Sequence, residues 1–155
     1  MSQNTTGLGG DLVILTVPGT KTSIHFNKYG NLLHQGELDL CIIEALGSIF
    51  ATTVMRGKDG FLPLHMKMYR YGDVVIHVED FSSPTFRMTY GILVSTLRGI
   101  ALFASLYGFV EMKIDIYDGK WGHVGTGELG EIKSSGALAN GTLQDFTPDT
   151  LRIAK

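Results

Sequence analysis

Residues 11–17, DLVILTV, form a continuous β-branched apolar run closed by Pro18 and Gly19, which predicts a strand covered on both faces. After that turn Thr22, Ile24 and Phe26 alternate with Ser23, His25 and Asn27, so a second strand folds back as a hairpin. From Glu37 to Arg56 the apolar positions recur at helical spacing, with Glu37, Cys41, Glu44, Ser48 and Thr52 aligned as one narrow polar stripe. Gly57 is placed to end that helix. Residues 57–72 make a long connection, in which Leu62, Leu64, Met66 and Met68 alternate with Pro63, His65, Lys67 and Tyr69 as an extended edge would. Asp73–Asp80 reads as a strand, with Val74, Ile76 and Val78 facing one way and Val75, His77 and Glu79 the other.

Thr89 is placed to cap a second helix that runs to Gly108. Its apolar positions cover most of the circumference and leave Ser95, Arg98, Leu102 and Ser105 as the least buried stripe. In Val110–Tyr117, Met112, Ile114 and Ile116 point inward and Glu111, Lys113, Asp115 and Tyr117 outward. The turn Asp118-Gly119 then leads into a returning strand, Trp121–Leu129. The order β-β-α-β-α-β-β predicts an α+β fold: an antiparallel or mixed sheet of about five strands, with two helices packed on one face. Residues 1–130 form this single domain, and the small, polar residues 131–155 read as a mobile or loosely docked C-terminal tail.

A helix lying on a sheet beside a second helix buries about half of its circumference, yet both helices are apolar over more than that. A further layer is therefore expected over them, from the long connection, from the tail or from another subunit. Gly47 and Gly99 lie near the helix centres, where each costs roughly 1 kcal/mol relative to alanine. Close approach of the two helix backbones is the expected compensation.

Composition narrows the partners. With 155 residues, 44% of them hydrophobic, the chain can bury one good core. Thirteen basic against fifteen acidic residues give a net charge of −2, which offers no electrostatic footprint for nucleic acid or an anionic membrane. The first apolar run has no preceding positive charge and stops at Pro18-Gly19, unlike a signal peptide. The segment 91–109 contains Arg98, hydroxyl residues and glycines, and reads as a core helix rather than a span. The single cysteine, Cys41, cannot form an intramolecular disulfide and is expected to be a buried, inert thiol. A soluble, cytoplasmic protein is the expectation.

Few motifs carry chemistry. Gly125, Gly127 and Gly130 match GxGxxG, but they fall in the closing strand of a hairpin with no helix after them, so no dinucleotide cofactor is implied. His25, His34, His65, His77 and His123 show no paired spacing on a helix, and no zinc site is indicated. If the helices cover the face of Val74, Ile76 and Val78, then His25, His77, Glu79, Lys113, Asp115 and Tyr117 project from the opposite one. Histidine, carboxylates and a phenol on one sheet face suit cofactor-independent acid and base catalysis, and equally an ordinary solvated face. Arg87 and Tyr90 at the start of the second helix are candidates for an anion site. Phe61, Leu62, Leu64, Met66 and Met68 are candidates for an apolar lid.

The stretch MTYGILVSTLRGIALFASLYGFVEMKIDIYDGKWGHVGTGEL resembles a broad group of small uncharacterised proteins predicted from filamentous fungi. In that group a Thr-aromatic-Gly segment opens a helix, and a strand-turn-strand with closing glycines follows. The likeness covers about residues 74–130 and transfers no catalytic residue; it implies an accessory role, for instance beside a biosynthetic pathway.

Two functions follow. One is a binder of an apolar small molecule, as a cofactor-independent isomerase or cyclase using His77, Glu79, His25, Asp115 and Tyr117. The other is a non-catalytic, homo-oligomeric interaction protein joined through its apolar helices.

Overall fold

The computed structural model describes residues 10–56, 60–81 and 88–132. In chain order the elements are β1 (Val13–Thr16), β2 (Thr22–Asn27), α1 (Gln35–Arg56), β3 (Met66–Tyr71), β4 (Val74–Asp80), α2 (Tyr90–Tyr107), β5 (Met112–Asp118) and β6 (Gly122–Glu131). All six strands pair antiparallel in one sheet of order β1-β2-β5-β6-β4-β3. The helices lie on one face, α2 over β1 and β2 and α1 over β3 and β4.

The α+β class and the one-sided helix layer agree with the sequence, and the sheet has one strand more than expected. That strand, β3, is the alternating part of the long connection, which turns at Gly72 (φ 57) and pairs with β4 from Met66↔Glu79 to Tyr71↔Val74. It therefore extends the sheet and does not cover the helices. β1 is a sheet edge and is not covered on both faces: Val13 and Leu15 pack on the core, while Ile14 is 57% exposed. A continuous apolar run carries no period with which to tell these cases apart. β6 continues to Glu131, and Ile132 N donates to Asp73 O at 2.8 Å. The remainder of the expected tail, like Gly57 and Arg87, lies outside the described residues.

Both helices are tied at their starts. His34 O accepts from Leu38 N, and His34 Nδ1 accepts from Glu37 N at 3.2 Å, so an imidazole caps α1 three residues before the apolar periodicity begins. Glu37 in turn accepts from Asp73 N at 3.0 Å, fastening the β3–β4 turn to α1. Thr89 caps α2 by accepting from Ile92 N at 3.2 Å, and Gly108, at φ 112, ends it. By length and composition α2 could cross a membrane, but 56% of it is buried within the fold.

The core lies between sheet and helices. Phe26 and Phe103 stack at 4.3 Å, and Ile24, Ile76, Ile116, Leu93, Leu97 and Ile100 are fully buried in the same core. Hydrophobic burial of roughly 1.5–3 kcal/mol per large side chain makes this layer the main source of stability. Gly99 is needed here for a different reason from the one expected. A Cβ on it would meet Ile24 Cδ1 and Val17 Cγ2, so α2 approaches the sheet at Gly99 rather than approaching α1. Gly47 has nothing within 4 Å of its Cβ position and faces outward.

Candidate functional site

The outward sheet face is built by strand alternation, and the register decides which of its residues meet. One row runs across all six strands: Ile14, His25, Asp115, Thr126, Glu79 and Met66. The next holds Asn27, Lys113, Glu128, His77 and Met68. His25, Asp115 and Tyr117 are thus brought together, on the adjacent strands β2 and β5. Glu79 stands two strands from Asp115 and His77 three from His25, separations of about 10 and 14 Å at ordinary strand spacing. The five expected site residues therefore divide into two groups.

His123, which no regular register would pair with Tyr117, joins the first group. A β-bulge opposite Ile116/Tyr117 places Val124 as an extra residue in β6, so that His123 pairs with Tyr117. The His25 and Tyr117 rings stack at 4.2 Å, Tyr117 and His123 at 4.5 Å, and Phe81 closes the row edge-on at 4.6 Å. Asp115 Oδ2 accepts from Asn27 Nδ2 at 3.2 Å, and Asp115 Oδ1 lies 3.4 Å from His123 Nε2 without hydrogen-bond geometry. The Nε2 atoms of His77 and His123 are shut off from solvent with no hydrogen-bond partner among the described residues. The imidazole and phenol faces are spent on one another, leaving ring edges for any ligand. Lys113 and Glu128 make an exposed pair at 4.0 Å, as on a solvated face.

A second polar cluster sits at the start of α2. The Asp80 side chain is wholly buried and lies 2.8 Å from His65 Nδ1. Its other oxygen accepts from Met88 N at 3.2 Å, and Asp80 N donates to His65 O at 2.7 Å. The carboxylate thereby pins the 62–65 connection to the beginning of α2. Leu62, expected in a lid, is buried in the core, whereas Phe61 and Leu64 are exposed. Tyr90 is 5% exposed, so burial removes its phenol from the expected anion site. Cys41 is the buried thiol expected: burial pushes it up to about 11.

The helix layer departs most from an ordinary surface. The α1 polar stripe does not face solvent as a unit, since Cys41 is buried and Glu37 is engaged at the β3–β4 turn. The outer side of α1 instead presents Leu40 (41% exposed), Ile43 (61%), Gly47 and Phe50 (70%). These positions recur at i, i+3, i+7 and i+10, the spacing of a seam that meets another helix. Beside the seam lies a cavity of about 390 Å³, lined by Leu46, Gly47, Ile49, Phe50, Thr53 and, from α2, Val94. Half of this was legible in the sequence, in the apolar excess of both helices. Which side of α1 remained uncovered was not.

No protein-family model matches the chain, and no curated protein or solved structure is significantly similar to it.

Proposed function

We propose that the chain is a non-catalytic docking module that receives a protein partner on the outer face of α1. The observation that carries this reading is the exposure of Ile43 and Phe50, 61% and 70%, on one helix face beside an apolar cavity. Scattered exposed apolar residues are normal, whereas an aligned seam with a cavity beside it marks a contact surface. The other reading, an apolar small molecule turned over by acid and base groups, draws on the adjacency of His25, Asp115, Tyr117 and His123. It is the weaker of the two because the observed cavity lies on the opposite side of the sheet from those groups. The absence of a disulfide framework in a chain with one cysteine supports work in the cytoplasm.

Size-exclusion of fresh extract from the protein's own cells tests the docking reading. Wild-type chain is expected to elute well above its 16.9 kDa, and the double variant Ile43→Ser/Phe50→Ser at that mass with its melting temperature kept. Monomeric elution of the wild type, or unchanged elution of the variant, contradicts it.

A further inference from the structure

We infer that residues 133–155 of the same chain fold back along the outer face of α1 and hold it until a partner displaces them. The inference rests on the docking reading and adds the regulation of that site by its own chain.

Its first support is the place from which those residues set out. Ile132 N donates to Asp73 O at 2.8 Å, and Asp73 N donates to Glu37 Oε2 at 3.0 Å, so one residue ties the exit of β6 to the first turn of α1. Residues 133–155 therefore start at the foot of the helix whose outer side is uncovered. Glu37 and Phe50 stand about 20 Å apart along the axis at 1.5 Å per residue. The stretch from Ile132 to Phe146, punctuated by Ser134, Ser135, Gly136 and Gly141, has a root-mean-square reach of about 20 Å as a flexible tether. A tether whose reach matches its span acts at a millimolar effective concentration, so this contact does not need the about 800 Å² per side of a bimolecular one.

Charge selects the same occupant. Residues 35–53 of α1 carry Glu37, Asp39 and Glu44 and no basic side chain. Asp39 and Glu44 are exposed, flank the seam and make no ion pair among the described residues. A second copy of this face would set like charge against like. Residues 150–155, TLRIAK, bring Arg152 and Lys155 with no acidic residue, the complement an acidic rim favours.

The apolar residues fit as well. Phe146, then Thr147-Pro148-Asp149, then Leu151 is the sequence pattern of a helix start stapled by apolar residues on either side of its cap. The cavity of about 390 Å³ between Leu46, Phe50 and Val94 has room for an aromatic ring such as that of Phe146.

Photo-crosslinking within the purified full chain, dilute enough to be monomeric, tests the inference. With p-benzoylphenylalanine at position 50, irradiation is expected to give an adduct of unchanged chain mass that joins position 50 to residues 133–155 in a peptide map. Arg152→Glu with Lys155→Glu is expected to lower that yield about fivefold, since two exposed pairs become repulsions. Phe146→Ser is expected to lower it too. No intramolecular adduct, an adduct to residues outside 133–155, one of twice the chain mass, or a yield indifferent to both variants overturns the inference. The docking reading survives any of these if the protein in extract still elutes in an assembly that depends on Ile43 and Phe50. The expected adduct together with a monomeric extract overturns the regulation instead, the segment then being a permanent layer of the fold.

Discussion

Gly47 and Phe50 stand one turn apart on the outer face of α1, the first with nothing within 4 Å of its Cβ position and the second 70% exposed. Gly99, at the middle of α2, is the opposite case, pressed on Ile24 and Val17. Replacing each by alanine should therefore act with opposite sign on the monomer. Gly47→Ala gains about 1 kcal/mol of helix propensity. Gly99→Ala loses more through overpacking, about 1–3 kcal/mol, than it gains. Urea unfolding of dilute protein checks both, and a loss of stability in Gly47→Ala contradicts the outward placement.

The buried Asp80 predicts a second asymmetry. Removing it strands His65 Nδ1 and Met88 N together, so Asp80→Ala should cost about 3 kcal/mol. His65 is 46% exposed, and water can replace part of what His65→Ala removes, a cost of about 1 kcal/mol. Equal losses in denaturant midpoints would show that the carboxylate is not the centre of the clamp.

The glycines of the GxGxxG match have a packing explanation that is open to test. A Cβ on Gly127 would lie 2.8 Å from His77 O and 2.9 Å from Ile114, and one on Gly125 2.5 Å from Glu79 O. Backbone cannot yield as a side-chain end can, so Gly127→Ala and Gly125→Ala should each destabilise by more than about 1 kcal/mol. Gly130, whose Cβ would come no closer than 3.9 Å to Glu111, should tolerate alanine. A dinucleotide site would instead make all three sensitive in binding, readable by cofactor titration.

Burial of Cys41 predicts how stability changes in alkali. The thiol is pushed from its ordinary 9.0 to about 11, so between these values the unfolded chain has lost a proton that the folded chain retains. The stabilisation is complete below pH 9 and fades as pH rises toward 11. Tyr69, raised to about 12 by burial, acts in the same sense at higher pH. Comparing urea midpoints of wild type and Cys41→Ala at about pH 8 and about pH 10.5 isolates the thiol: wild type should lose more on going up. Maleimide labelling of Cys41 should likewise await unfolding.

Strand identities and inward faces were readable because periods of two and 3.6 survive wherever one face is buried, as in Met112-Ile114-Ile116. β3 was obscured by its edge position, where Lys67, Tyr69 and Arg70 blur the alternation. The site was less legible. Alternation correctly placed His25, His77, Glu79, Asp115 and Tyr117 on one face, but strand order separates them, and no local pattern encodes that β2 pairs with β5. His123 entered through a bulge, a one-residue shift that hydrophobic period does not reveal. The apolar excess of the helices was legible; which side of α1 is left exposed depended on Glu37 and Cys41 being drawn toward the sheet side.

Site-specific photo-crosslinking locates the partner surface in the protein's own cells. With p-benzoylphenylalanine at position 50 and, as control, at the solvated position 128, irradiation in the protein's own cells should yield a protein adduct from position 50 alone. The adduct is expected to be heavier than the chain and to vanish with Ile43→Ser. Adducts from position 128 and none from position 50 would contradict it, because the partner surface would then be the open sheet and not α1.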